Sequence, residues 1–174
     1  MNVIRETEVP IKHFHPTHLS LDGVKREDTL AFAKMGGYVD FTSGQDTMAS
    51  AKRLQQGLEE IPLPQLTLSS DSNGSLPKWN DRREIIGMGV GSMSTLFATI
   101  RDLYLSGGAS FVDAIRLITE NVAKALEIYP AKGVIAEGSD ADLVLLSADE
   151  IDGVIAKGRI MMENRNILVP NYYN

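Results

Sequence analysis

The 174-residue sequence contains no cysteine. A disulfide framework and a zinc site built from thiolates are therefore both excluded. The sequence also lacks any apolar run near the roughly 20 residues that a membrane-spanning helix needs. The first twelve residues carry charges and no apolar core segment, so we predict no secretory signal. From these absences we expect a cytoplasmic protein with no membrane partner.

A basic patch is missing as well. Seventeen Lys and Arg are spread along the chain against 23 Asp and Glu, which gives a formal net charge of -6. Binding to nucleic acid or to an anionic membrane surface requires clustered positive charge. We therefore predict no nucleic-acid partner. With 43% hydrophobic and 23% charged residues, the composition is that of an ordinary globular protein.

The segment 66–75, LTLSSDSNGS, changes from a strand pattern to a turn pattern. It begins with apolar and β-branched residues in alternation and continues with Ser, Asp, Asn and Gly, which favour turns. Asp71 thus follows the carboxyl end of a predicted strand, where parallel α/β proteins bind their ligands. Two interpretations are open from this pattern. Asp71 either forms an Asx turn or a helix cap, or it takes part in chemistry.

All three histidines of the sequence lie close together, at positions 13, 15 and 18. We predict a strand over residues 9–14, which would place His13 and His15 on one face and His18 in the following loop. Because imidazole is a common zinc ligand, a metal site is one interpretation. The other, which we favour for His13 and His15, is that they are satisfied polar residues of a strand.

Strand and helix patterns alternate along the first two thirds of the chain, which predicts parallel βα units. Besides the strand that begins at Leu66, a strand is predicted over residues 38–42. Residues 75–87 read as a polar loop. Ser110 is a good N-cap for the last helix. The predicted helices cover residues 27–35, 47–58, 92–105 and 111–128.

The tail has a different character, since it shows short strand patterns separated by Gly and Asn turns and no helix pattern. We predict a small β module there. Its predicted strands cover residues 133–135, 141–146, 151–156, 159–163 and 167–169.

Five segments of the sequence form a recognisable set: PTH at 16–18, FAKMGGYVDFTSG at 32–44, LTLSSDSNGS at 66–75, GVGSMSTLF at 89–97 and KGVIAEGSDADLVLL at 132–146. Together they resemble the isoaspartyl dipeptidases, which are β-aspartyl peptidases of the amidohydrolase superfamily. The last of the five occurs in many amidohydrolases, whereas SSD-x-NGS at this distance after PTH is fairly specific to the dipeptidases. The resemblance runs over essentially the whole chain.

The resemblance implies an α/β fold, a (β/α)₈ TIM barrel that holds two zinc ions, with a small β-sandwich attached. A complete barrel takes roughly 250 residues, so we expect this chain to be the C-terminal portion, with Met1 internal to a longer ancestor. Residues 1–130 would hold the last three βα units, and residues 131–174 the return strands of the sandwich. The chain alone would be inactive, and we expect a homo-oligomer or a missing N-terminal half.

Carried over residue by residue, the resemblance gives three positions a role. His18 would bind zinc, and Asp71 would contact a metal and handle the proton of the attacking water. Ser75 would hydrogen-bond the substrate, a small β-aspartyl dipeptide. Leu21 stands where the family carries an arginine for a substrate carboxylate, and Ser72 replaces a glycine.

His13 and His15 match no ligand of the family, which strengthens their interpretation as ordinary polar residues. The departures at Leu21 and Ser72 indicate either altered substrate preference or relaxed constraint after loss of activity. Two other functions stay open. One is a different amidohydrolase that opens cyclic amides, as dihydroorotases and hydantoinases do, and the other is a non-catalytic relic or an assembly subunit.

Overall fold

The computed structural model describes residues 4, 6–23 and 25–169. Residues 1–3, 5, 24 and 170–174 lie outside the described part. Short 3₁₀ helices cover Ile11–His13 and Leu63–Gln65. The α-helices are α1 (Lys25–Lys34), α2 (Thr47–Glu60), α3 (Ser94–Leu105), α4 (Phe111–Arg116) and α5 (Glu120–Ala125). The strands are β1 (Val39–Thr42), β2 (Leu66–Ser69), β3 (Ser75–Trp79), β4 (Ile85–Val90), β5 (Leu143–Ser147), β6 (Glu150–Ala156), β7 (Arg159–Glu163) and β8 (Asn166–Ile167).

Strands β1 and β2 pair in parallel, with α2 as the crossover between them, which confirms the predicted βα arrangement. In this register Asp40 lies opposite Thr67, and Thr42 lies opposite Ser69. Helix α2 begins where Asp46 accepts the Ala49 N–H at 2.9 Å, a side-chain N-cap. A short parallel pair buried under helices therefore forms the centre of the fold.

The hydrophobic core lies between one face of the β1–β2 pair and helices α1 to α4. Alternate strand residues point into it, and each large side chain buried there contributes about 1.5–3 kcal/mol. No helix within the described residues is both long and apolar enough to cross a membrane. The buried core residues are Phe32, Ala33, Val39, Phe41, Ala51, Leu54, Ile61, Leu66, Leu68, Ile100, Leu103, Ala114 and Leu117.

The prediction of a strand over residues 9–14 is wrong. Ile11–His13 forms a 3₁₀ turn instead, in which Phe14 N–H donates to the Ile11 carbonyl at 3.1 Å. Pro10 precedes the turn with φ near -57°, which suits a helical turn and removes a ladder donor. The backbone around Pro10 therefore favours a helical turn over a strand. His13 and His15 consequently do not share the face of a strand.

The helix predicted over residues 111–128 is divided into α4 and α5. The Leu117 carbonyl accepts the N–H of Leu68 in β2 at 3.1 Å, and the Thr119 hydroxyl donates to the Ile115 carbonyl at 2.8 Å. These bonds compete with the helical hydrogen bonds. Asn121, which is fully buried, then donates its amide to the Leu66 carbonyl at 2.8 Å. The break between α4 and α5 therefore provides hydrogen-bond partners for main-chain groups at the edge of β2 that faces away from β1.

Residues 75–87 were expected to form a loop, but they belong mostly to an antiparallel hairpin of β3 and β4. The hairpin pairs Ser75 with Val90 at its base. Several of its large apolar side chains are exposed, including Trp79 and Ile86. The hairpin thus follows directly on the turn that carries Asp71.

The tail forms an antiparallel sheet in the order β5–β6–β7–β8, close to the predicted strands. Lys157 and Gly158, between β6 and β7, both have positive φ, as a tight two-residue hairpin turn requires. One prediction fails, because residues 133–135 form no strand. The prediction of short strands without helices is otherwise confirmed in the described tail.

Candidate functional site

One face of the β1–β2 pair is polar. Because side chains alternate along a strand, Asp40, Thr42, Thr67 and Ser69 lie on the face opposite to the core. We call these four residues the inner polar face. The Asp40 carboxylate accepts a hydrogen bond from the Ser69 hydroxyl at 2.6 Å and from the Thr67 hydroxyl at 2.9 Å. The face is thus organised around one carboxylate.

Asp40 is half-buried, and its surroundings change the pKa of its carboxyl group. Burial raises the pKa of the carboxyl above its ordinary value, while hydrogen bonds from Ser69 and Thr67 and the positive charge of His18 oppose part of that rise. Sequence reasoning missed Asp40. The available signal was an acidic residue between Val39 and Phe41, since a charge in a buried strand is retained only with partners.

His18 is exposed and has a left-handed backbone, with φ at 56°. Its segment runs beside β1, because the Leu19 N–H donates to the main-chain oxygen of Asp40 at 3.1 Å. A positive charge on His18 acts to lower the pKa of the Asp40 carboxyl, against the larger effect of burial. The structure therefore associates His18 with the inner polar face.

The other two histidines belong to a different neighbourhood. The ring of His15 stacks on Tyr38, with 6.1 Å between centroids and an interplanar angle of 17°. Glu127 pairs with Lys12 at 2.6 Å. This hydrogen bond lowers the pKa of Glu127, and the charges of His13 and His15 add to the effect. These two histidines thus lie around Glu127, whereas His18 lies near Asp40.

Asp71 is half-buried in a turn and also has a left-handed backbone, with φ at 48°. The Gly74 N–H donates to the Asp71 carbonyl at 2.9 Å. A methyl group on Gly74 would come within 2.6 Å of Asp71 Oδ1, so the carboxylate lies directly over this glycine. Gly74 therefore contacts both the main chain and the side chain of Asp71.

Ser75 and Ser72 complete the description of this turn. Ser75 is exposed and begins β3, immediately after the turn. Ser72 does not have a positive φ and donates its N–H to the Ser70 hydroxyl at 3.2 Å. A serine therefore fits at position 72 without the left-handed strain that favours glycine.

Leu21, for which the sequence resemblance implied an arginine in the family, packs partly buried against the core. The guanidinium of Arg26, five residues later in the chain, donates to both carboxylate oxygens of Glu60, in one case at 2.7 Å. A guanidinium held in such a fork is committed to its partner. Lys25 is exposed at the start of α1.

Within the described residues, no three His, Asp or Glu side chains come together as a metal site would require. A catalytic zinc site takes three protein ligands and leaves one position open. His18 and Asp71 offer two donors at most. The described part of the chain therefore does not by itself fit a catalytic zinc ion.

Comparison with known proteins places this geometry in a family. A sequence model of the amidohydrolase family matches residues 2–161. The fold is similar to that of β-aspartyl dipeptidase from Fervidobacterium islandicum AW-1 in complex with β-Asp-Leu, with 35% identity and a TM-score of 0.82. A second structure of β-aspartyl dipeptidase from that organism shows 32% identity and a TM-score of 0.78. The similarity covers 98% of this chain in both cases.

A shorter similarity links the chain to a dihydropyrimidinase from Arabidopsis thaliana. Identity is 32% over 62 residues, which is 36% of this chain and 12% of the plant protein. The chain spans less than half the length of the dipeptidase structures as well, covering 45% and 43% of them.

Proposed function

The chain belongs to the amidohydrolase family, and on that premise we propose that it is the C-terminal part of an isoaspartyl (β-aspartyl) dipeptidase. The observation that carries the proposal is the similarity over 98% of the chain, at 35% identity, to a dipeptidase whose structure holds β-Asp-Leu. Hydrolysis of β-aspartyl dipeptides would then be the activity of a protein that contains this chain and the remainder of the site.

In the proposed architecture, residues 1–130 supply part of a TIM barrel and residues 131–174 part of a β-sandwich. Strands β1 and β2 would be the seventh and eighth of the barrel. The segment before Leu19 would stand in place of the sixth, without strand structure in its first part. Support comes from the parallel β1–β2 pair and from the hydrogen bond between Leu19 and Asp40.

We assign roles to three residues of this chain. Asp71 accepts the proton of the attacking water and passes it to the leaving amine, which a carboxylate can do when it is held near the reacting atoms. The Ser75 hydroxyl binds the substrate. His18 and Asp71 would contribute ligands to a zinc site, with two ions in the complete enzyme, and residues outside the described chain would supply the other ligands.

A second candidate is the opening of a cyclic amide. The 62-residue similarity to a dihydropyrimidinase favours it, and so does Leu21, because an apolar side chain cannot replace a fork of charged donors for a substrate carboxylate. A third candidate is a non-catalytic relic or subunit, which the incomplete ligand set favours.

A fusion enzyme can distinguish the three candidates. It joins the part of the Fervidobacterium dipeptidase that this chain does not cover to residues 1–174. We expect the zinc-loaded fusion to hydrolyse β-Asp-Leu and to leave α-Asp-Leu, hydantoin and dihydroorotate intact. The matched control is the same N-terminal part joined to its own C-terminal part.

Each alternative predicts a different result. Opening of hydantoin or dihydroorotate without dipeptide cleavage would contradict the proposal and support the cyclic-amide function. A folded fusion that retains zinc and acts on none of these substrates would support the relic.

A further inference from the structure

Asp40 contacts both segments that carry the proposed site residues. Its main-chain oxygen accepts the N–H of Leu19, the residue directly after His18, at 3.1 Å. Its carboxylate accepts hydroxyl hydrogen bonds from Ser69 at 2.6 Å and from Thr67 at 2.9 Å. Both donors belong to β2, which ends two residues before Asp71. One residue therefore joins the two parts of the site.

The bonds to β2 are of a strong kind. A hydroxyl that donates to a carboxylate forms a shorter and stronger bond than one that donates to a neutral acceptor. The Ser69 hydroxyl also lies 3.3 Å from the Thr42 hydroxyl, so the carboxylate, β1 and β2 form one connected network. In addition, charges interact more strongly when they are partly removed from water.

We infer that Asp40 is a positioning residue that holds the His18 segment and the Asp71 strand in one fixed arrangement. Its main-chain oxygen acts on the first segment, and its side-chain hydrogen bonds act on the second. The catalytic meaning of this role rests on the proposed function, because only that function makes His18 and Asp71 act together. The positioning itself can be measured without catalysis.

Three variants separate these contributions. Asp40→Ala removes the carboxylate and with it both side-chain hydrogen bonds to β2. Asp40→Asn keeps the shape and an accepting oxygen but removes the charge. Asp81→Ala is the matched control, because Asp81 is an exposed aspartate in the turn between β3 and β4.

The measurement is nuclear magnetic resonance of the full chain, with ¹³C in the histidine rings and ¹⁵N in the backbone. The sequence has only three histidines, so His13 and His15 serve as internal references. We expect Asp40→Ala to shift the His18 ring and the Asp71 amide by more than a line width. Asp40→Asn, which keeps one accepting oxygen, should shift both signals less, and Asp81→Ala should shift neither.

The inference is overturned if folded Asp40→Ala leaves both signals in place. If Asp40→Ala does not fold, Asp40→Asn decides, and unchanged signals of the His18 ring and the Asp71 amide overturn the inference. The outcome is independent of the proposed function. An inactive fusion enzyme, with both signals still moved in Asp40→Ala, would leave the positioning role supported, whereas an active one with neither signal moved would refute that role alone.

Discussion

At the residue scale, the position of Asp71 depends on a glycine twenty positions later. A methyl group on Gly91 would lie 2.2 Å from the main-chain oxygen of Asp71, which is shorter than any allowed contact. The main chain of Gly91 is also engaged, since it donates to Gly74 at 3.0 Å and accepts from Asn73 at 3.1 Å. Gly91 therefore allows β4 to approach the turn that holds the carboxylate.

We predict that Gly91→Ala displaces this turn and lowers the free energy of unfolding by about 1–3 kcal/mol, the usual cost of forcing an extra methyl group into a packed site. Urea denaturation of the chain measures the change. Gly87→Ala is the control, because a methyl group there meets nothing within 4 Å, and its effect should stay within about 0.5 kcal/mol. Equal effects of the two substitutions would contradict the prediction.

The structural role of a residue could be predicted from the sequence when its contacts were close in the sequence, and not when they were distant. Ser110 was predicted as an N-cap from local chemistry, and the structure confirms it, because Ser110 Oγ accepts the Asp113 N–H at 3.1 Å. Asp40 and Gly91 were not identified. Their importance arises from β2 and from the Asp71 turn, which are distant in the sequence, and no local pattern reports such contacts.

At the scale of secondary-structure elements, one charged cluster ties the start of the tail sheet to the chain before it. Lys132 pairs with Asp140 at 2.8 Å and also with Asp142. Asp142, just before β5, accepts the main-chain N–H of Lys157 in the β6–β7 turn at 2.6 Å. The hydrogen bond from Lys132, and then that from Lys157, hold the pKa of Asp142 below its ordinary value.

This lowered pKa predicts the pH range in which Asp142 stabilises the fold. The ionised form is favoured by folding, so the contribution is present above the ordinary value of about 3.9 and is lost as the pH falls through the lower folded value. Asp142→Asn should therefore lower the melting temperature at neutral pH, and its curve should approach that of the wild type below about pH 4. Asp149→Asn, in the exposed β5–β6 turn, is the control. A constant difference down to pH 2 would contradict this account.

Elements with strong local signals were predicted well, whereas those shaped by distant partners were not. Helix α2 has a side-chain cap, and the β6–β7 turn has residues suited to a hairpin, so sequence patterns located both. The predicted helix over residues 111–128 failed because the Leu117 carbonyl bonds to β2. The hairpin of β3 and β4 was missed because Pro77 in β3 and Gly87 and Gly89 in β4 are poor strand formers.

At the scale of the whole molecule, this chain is proposed to supply one part of a catalytic site. Motif resemblance indicated the family, and the match over residues 2–161 confirms it. The chain's own structure adds the Asp71 turn and the inner polar face, but among the described residues it groups no complete set of metal ligands. The central claim is therefore that Asp71 performs proton transfer once the remainder of the site is supplied.

The most direct test is the rate of β-Asp-Leu hydrolysis by the fusion enzyme with and without Asp71→Asn. The substitution keeps the shape of the side chain and removes its ability to accept a proton. We expect kcat to fall by at least about 10²- to 10⁴-fold, the typical contribution of general acid–base catalysis, with the fold preserved by circular dichroism. Ser72→Ala, in the same turn, should retain most of the activity. Hydrolysis that survives Asp71→Asn at a rate close to that of the unsubstituted fusion would contradict the account.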